Sequence, residues 1–257
     1  MMISNTAVIS KSAVIGKNVE ISDFAKIGEN VKLLDGVSVG HGAVIHKNTT
    51  VGQGTKISPY AVIGTDPQDL KYRGEESFCE IGSNCLIREF VTVNRGTAAS
   101  GKTVVGNGTL LMAYVHVAHD CVIGEKCILA NCAGLAGHVI VENNAIIGGY
   151  TPVHQFVRIG TFAILGGDSR IVQDVPPYSM AVGNPAYLYG LNTVGLKRAG
   201  FSPEKISLLK KAYRTLFKSG LKKEEAIESV LKLGEIPELE KLANFVKASE
   251  RGITPSK

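Results

Sequence analysis

The chain has 257 residues, 44% of them hydrophobic but only 6% aromatic and none tryptophan, so a sizeable core has to be mostly aliphatic. A net charge of +5 without a dense Lys/Arg run or basic–aromatic interleaving argues against a nucleic-acid partner. No apolar run approaches the ~20 residues that span a bilayer, and no signal peptide opens the chain, so the reading is a soluble cytoplasmic protein with no transmembrane segment. Five cysteines without a CxxC spacing indicate neither a zinc site nor a disulfide framework.

From Ala7 the chain divides into sixes: AVISKS, AVIGKN, VEISDF, AKIGEN, VKLLDG, VSVGHG, and so on to Asp66. The third position reads Ile9, Ile15, Ile21, Ile27, Leu33, Val39, Ile45, Val51, Ile57 and Ile63. The first position is small or β-branched. Positions one and three share a face of a short strand because side chains alternate. Gly, Ser, Asn and Asp gather at positions four to six, where a turn is needed. Each hexad is thus a short strand plus a corner, and stacked hexads make a parallel β-solenoid with an aliphatic interior. Cys79, Cys85, Cys121 and Cys127 occupy first positions and read as small core residues. The frame breaks over 67–78, in the polar stretch DPQDLKYRGEES with Asp69, Lys71 and Arg73, and again over 97–102. Both breaks predict loops leaving the coil, a placement usual for function.

The frame then holds from Thr103 to Asp174 and stops at VPPYSM. Beyond residue 190 the period turns helical. Ser202-Pro203 predicts a helix start, with Ser as N-cap and Pro at the first helical position. Ile206, Leu209, Tyr213, Leu216 and Phe217 form one stripe; Leu221, Ile227, Val230 and Leu231 predict a second helix; Leu239, Leu242, Phe245 and Val246 a third. The domain reading is a β-solenoid over 1–190 and a small helical domain over 191–257.

These hexads resemble the hexapeptide-repeat acyltransferase family. The resemblance implies that three hexads make one triangular coil of a left-handed parallel β-helix, a hand that the period alone does not supply. On an 18-residue coil, Asp120 lies beneath His138, His119 lies beneath Gly137 and then Gln155, and His154 is one column over. Four of the six histidines, His116, His119, His138 and His154, therefore converge within three coils. His41 and His46 lie on distant coils and read as incidental. A His–Asp pair can act as a general base, the carboxylate holding the imidazole tautomer and stabilising the imidazolium. A glycine above the histidine leaves room and an accessible N–H for an oxyanion. The cluster holds no obvious Ser or Cys nucleophile, and no thiolate or carboxylate set for a metal; neither metal nor cofactor is expected.

The stretches DPQDLKYRGE, VHVAHDCVIG, LAGHV, GGYTPVHQFVRIG, DVPPYSMAVGNPA and GLKRAGFS are similar to the UDP-N-acetylglucosamine acyltransferase family, in order and spacing. That resemblance implies transfer of a 3-hydroxyacyl chain from acyl carrier protein to the 3-position of UDP-GlcNAc, the first step of lipid A biosynthesis. It implies His119 as general base, Asp120 as its orienting partner and the Gly137 N–H as oxyanion donor. It also carries Asp69, Lys71, His116, His138, His154, Gln155, Asn192 and Arg198 over as contacts to the nucleotide-sugar or acyl-pantetheine, and Gly167 as the end of the acyl groove. A homotrimer with its sites between neighbouring solenoids is implied too. Asn94, Val194 and Ala199 depart from residues common in the family, which leaves a 3-amino UDP-sugar open as acceptor. The later N-acyltransferase of the same pathway is the nearest rival; it carries a uridine-binding domain for which hexads beginning at Ala7 leave no room. A zinc-binding member of the wider superfamily and a non-enzymatic scaffold are the more distant rivals.

Overall fold

The computed structural model describes residues 2–257. Its body is a stack of two-residue strands in three parallel sheets. The first sheet starts with Met2–Ile3, Glu20–Ile21 and Ser38–Val39; the second with Val8–Ile9, Lys26–Ile27 and Val44–Ile45; the third with Val14–Ile15 and Lys32–Leu33. The solenoid thus begins one strand before Ala7, ahead of the predicted frame. Neighbouring coils pair residues 18 apart, as in Met2↔Glu20 and Val117↔Leu135. The ladder passes each side chain onto its counterpart one rung up, at the ~4.8 Å inter-strand distance.

First and third hexad positions point inward. Val19, Ile21, Ala25, Ile27, Val31 and Leu33 are at most 2% exposed, and the pattern continues to Ala163 and Leu165. The four first-position cysteines are buried as expected. Burial pushes the Cys79 and Cys121 thiols up to about 12 and Cys127 to about 11. The sixth position has a physical demand of its own: it turns most corners with positive φ. Asn18, Asn30, Asn48, Asn84 and Asn144 lie there, and so do Gly36, Gly54 and Gly108. Asn and Gly reach this left-handed region at least cost. Phe24, Tyr60, Phe90, Tyr114, Asp120, His138 and Phe156 hold the same conformation with bulkier side chains.

Both frame breaks are loops at one edge of the prism, between the second and third sheets. The first spans 66–77, between strands Val62–Thr65 and Phe78–Ile81; the second spans 95–101, between Thr92–Asn94 and Lys102–Val105. Across them the pairing steps by 30 residues (Lys56↔Leu86) and by 24 (Leu86↔Leu110) instead of 18.

The strands Ser179–Val182 and Tyr187–Leu191 pair antiparallel and end the stack. Four helices follow: α1 (Thr193–Arg198), α2 (Pro203–Lys218), α3 (Lys223–Leu231) and α4 (Pro237–Lys247). Ser202 caps α2 through Lys205 N, with Pro203 at its first turn, as predicted. The short α1 lies outside the predicted stripes; its signal is Asn192, whose side chain accepts from Gly195 N. A second apolar cluster joins Tyr178 of the solenoid to Leu196, Ile206, Leu209, Leu239 and Leu242. The last residues are not helical but return to the solenoid, where Ile253 bridges Asp174 and Ser256 bridges Leu188. Among the described residues no helix is long and apolar enough to cross a membrane.

Candidate active site

His119 and Asp120 turn the corner between the strands His116–Val117 and Val122–Ile123, on the same edge as the two loops. The hexad places them there: His119 is a fifth-position residue, and Asp120 takes the sixth-position left-handed corner at φ 60°. His119 Nδ1 is 2.8 Å from Asp120 Oδ2, and Asp120 is 4% exposed, its side chain fully buried. With Nδ1 facing a carboxylate, the proton of neutral His119 sits on Nδ1 and Nε2 keeps its lone pair. Burial by itself raises the Asp120 pKa. Hydrogen bonds from Ser100, His119 and Thr97 outweigh it and hold the carboxyl down at about 2, so it is charged throughout the physiological range.

Gly137 sits directly over the imidazole. A Cβ there would come within 2.6 Å of His119 Cε1 and 2.8 Å of Nε2, so only glycine leaves the ring in place. Among the described residues its N–H finds no backbone acceptor. The Gly137 backbone therefore lies against the Nε2 side of the dyad. His138, one rung above Asp120, packs edge-on against His119 with centroids 5.1 Å apart and stacks on Phe156 at 4.6 Å. Its Nε2 lies 3.7 Å from Asp120 Oδ2, too long for a hydrogen bond. His116 shares a hydrogen bond of 2.8 Å with Thr92 Oγ1 through Nδ1; burial, then repulsion between the two imidazoles of His116 and His119 when both are protonated, pushes its pKa below the ordinary value.

His119, Asp120 and His138 bring three ligand-type atoms within 4.8 Å of one another. Both Asp120 oxygens already accept two hydrogen bonds each, from Thr97 N and Ser100 Oγ on one and Thr97 Oγ1 and His119 Nδ1 on the other. A carboxylate so occupied has no lone pair directed at a cation, and the set does not fit a metal centre.

His116, His119, Asp120, Gly137 and His138 are thus brought together on one edge. His154 and Gln155 lie exposed on the next coil of that edge, His154 Nδ1 3.2 Å from the Gln155 carbonyl. Asp69 and Lys71 lie in the 66–77 loop, where Asp69 Oδ1 accepts from the Lys71 N–H at 2.9 Å and Leu70 is 97% exposed. Two grooves flank the dyad. One of about 440 Å³ is lined by His46, Thr65, Asp66, Gln68, Thr92 and Asn94; one of about 340 Å³ by His138, Phe156, Arg158, Asp174 and Arg251. His46 packs beside the loop, and burial, then the Arg95 charge, lowers its pKa. Gly167 lies elsewhere, on the edge between the first and second sheets, and within one chain it is not part of the cluster. Asn192 spends its side chain capping α1 and donating to the Phe162 carbonyl, and Arg198 is exposed in the last turn of α1.

Three residues of the site carry no hexad signal. Arg95 is 2% exposed and holds the 66–77 loop through the Gly64 carbonyl at 3.0 Å, the Tyr72 hydroxyl at 2.9 Å and the Asp66 carboxylate. Thr97 and Ser100 enclose Asp120. The broken frame at 97–102 is the one mark that Thr97 and Ser100 leave in the sequence.

A hexapeptide β-solenoid bearing a buried His–Asp pair at one corner defines a hexapeptide-repeat transferase. Residues 102–137 match the bacterial transferase hexapeptide model, residues 1–77 a GlmU-like C-terminal hexapeptide model, and residues 174–254 the UDP-N-acetylglucosamine O-acyltransferase domain 2 model. A solved UDP-N-acetylglucosamine acyltransferase, LpxA, from Bacteroides fragilis is 47% identical, with a TM-score of 0.96 over 98% of this chain and 99% of that one. The Arabidopsis enzyme is 36% identical with a TM-score of 0.80 over 98% of this chain and 100% of its own. Among curated relatives, the acyl-[acyl-carrier-protein]–UDP-N-acetylglucosamine O-acyltransferase of Burkholderia lata is 48% identical over 106 residues; that match spans 39% of this chain and 40% of the relative. The chain belongs to the UDP-N-acetylglucosamine acyltransferase family, and its parallel β-helix is left-handed.

Proposed function

We propose that the chain transfers a 3-hydroxyacyl group from the thioester of acyl carrier protein to the 3-hydroxyl of UDP-N-acetylglucosamine, the first step of lipid A biosynthesis, in the cytoplasm and as a homotrimer. Family membership supports the substrates. The observation that carries the chemistry is the 2.8 Å His119–Asp120 contact beneath Gly137.

His119 Nε2 takes the proton of the sugar hydroxyl as its oxygen attacks the thioester carbonyl. Asp120 stabilises the imidazolium that forms. The carbonyl oxygen becomes an oxyanion and accepts from the Gly137 N–H, a fixed donor that needs no reorganisation. Collapse breaks the C–S bond, and the departing thiolate takes the proton back from His119. A covalent route lacks a nucleophile: the neighbouring Cys121 thiol is buried and pushed up to about 12, and Ser100 donates to Asp120. His116, His138, His154, Gln155, Asp69 and Lys71, with Asn192 and Arg198, are the proposed contacts to the sugar nucleotide and the acyl-pantetheine. No cofactor takes part.

Purified protein incubated with UDP-GlcNAc and a 3-hydroxyacyl carrier protein is expected to yield the 3-O-acyl sugar nucleotide, identified by mass. A parallel incubation with the 3-amino analogue shows whether the same base also serves an amine. Absence of both products from folded protein refutes the reading.

A further inference from the structure

The loop at 95–101 adds six residues to a coil that closes elsewhere without them. What it does with them is chemical. Thr97 donates to Asp120 twice, from its N–H to Oδ1 at 3.0 Å and from its hydroxyl to Oδ2 at 2.8 Å. Ser100 Oγ approaches Oδ1 from the other side of the loop. The direction of the Thr97 hydroxyl is settled by its own neighbour: Oγ1 accepts from the Ala99 N–H at 3.2 Å, which leaves its proton for the carboxylate. The loop itself is closed by Gly101 N to the Thr97 carbonyl at 2.8 Å and pinned to Phe78 by two backbone bonds.

We propose that Thr97 and Ser100 are positioning residues of the transfer reaction: they lock the Asp120 carboxylate in the one orientation that accepts from His119 Nδ1 and so keep His119 Nε2 free as the base. This rests on the reading of His119 as the base. The need for a lock is visible in the site. Asp120 stands at a corner between two histidines, with His119 Nδ1 at 2.8 Å and His138 Nε2 at 3.7 Å from the same oxygen. A modest rotation of the carboxylate hands it to His138 and leaves His119 without the partner that fixes its tautomer. Two donors on Oδ1 and the Thr97 hydroxyl on Oδ2 prevent that rotation. Ser100 has a single proton for two acceptors, Asp120 and the Lys102 carbonyl at 3.0 Å, so Thr97 carries the larger share.

The test uses Thr97→Val, which keeps the shape and the N–H but removes the hydroxyl, with Ser100→Ala and the pair together. Expected are losses in kcat of about tenfold, a few-fold and about a hundredfold, below the ~10²–10⁴ that a general base supplies, with KM for sugar nucleotide and acyl donor unchanged within about twofold. Thr97→Ser restores the rate. Nitrogen-15 NMR of labelled histidine is expected to show His119 wholly as the Nδ1–H tautomer in the parent and as a mixture in the double variant; if that variant does not fold, Thr97→Val alone is read. An unchanged tautomer in a folded Thr97→Val protein, or a loss confined to KM, overturns the proposal. The tautomer is read without substrate, so it decides the role of the loop even where the turnover assay refutes the acyltransferase reading.

Discussion

The edge between the first and second sheets carries Phe24, Tyr60, Phe90 and Tyr114 at the same left-handed corner position that holds Asp120 and His138 on the edge between the second and third. On the first of these edges the rings form a ladder with His41, with centroids 5.0 to 5.5 Å apart, and the four aromatic residues are 44–64% exposed. Among the described residues no inserted loop covers it. On the second edge two loops rise from the coil, and Asp120 is 4% exposed. The backbone is the same on both, so the corner does not decide the chemistry. Covering it does: a charged group gains directional partners and a low-dielectric setting only where something encloses it.

The sharpest test of that contrast is chemical. His119→Ala is expected to cost ~10²–10⁴-fold in kcat while leaving the fold intact. Gly137→Ala is expected to approach it, at roughly a hundredfold, because a Cβ 2.6 Å from Cε1 has to displace the imidazole and a misplaced base loses its geometry. A folded His119→Ala protein with near-normal kcat would remove the covered edge from the chemistry.

Acid stability gives a smaller contrast. Asp120 is held at about 2, below its ordinary 3.8, so it contributes stability that is present above pH ~4 and lost as the pH falls through ~2. At 1.36 kcal/mol per pKa unit the contribution is roughly 2 kcal/mol. Asp120→Asn should therefore flatten the decline of stability between about pH 4 and pH 2. An acid-unfolding profile of the same steepness in both proteins would contradict this.

Gly167 belongs to the uncovered edge, and a Cβ there meets the Gly149 carbonyl oxygen at 3.4 Å and its nitrogen at 3.9 Å, ordinary van der Waals contacts. If the uncovered edge of one copy completes the groove of another, Gly167→Met shifts donor preference toward shorter chains, by up to ~0.8 kcal/mol for each CH₂ denied burial. Identical kcat/KM series for the two proteins would place the limit elsewhere. The smallest effect should come from the ladder. Phe90→Ala breaks two stacked pairs at a half-exposed site, a loss of roughly 1 kcal/mol. That corresponds to about 2–4 °C in Tm for a chain of this size, with kcat unchanged. A tenfold drop in kcat would show that both edges serve the reaction.

These contrasts also show why parts of the molecule are readable from the sequence and others are not. The third-position Ile, Leu and Val residues are legible as core because alternation along a two-residue strand leaves them no other face. His119 and Asp120 are legible because they are adjacent and because Gly137 and His138 recur one coil above. Thr97, Ser100 and Arg95 are not, since a loop has no period and its folding back over a corner is set by long-range hydrogen bonds such as Thr97 to Asp120. The packing of His46 is hidden for the same reason: its neighbour is a loop, not a coil. The returning tail at Ile253 is hidden too, because one bridge to Asp174 leaves no pattern in five residues.

The inward-facing cysteines have a practical consequence. Cys79 and Cys85 lie on coils flanking the two loops, and Cys121 and Cys127 two rungs above them, each sealed inside the solenoid with its thiol held protonated by burial. A thiol reagent reaches them only when the local coil opens, whereas Cys132 is partly accessible from the start. The rate at which each interior thiol is alkylated under native conditions is therefore a clock for the opening of its own coil, and the chain comes with these clocks already wound near the height of its covered edge.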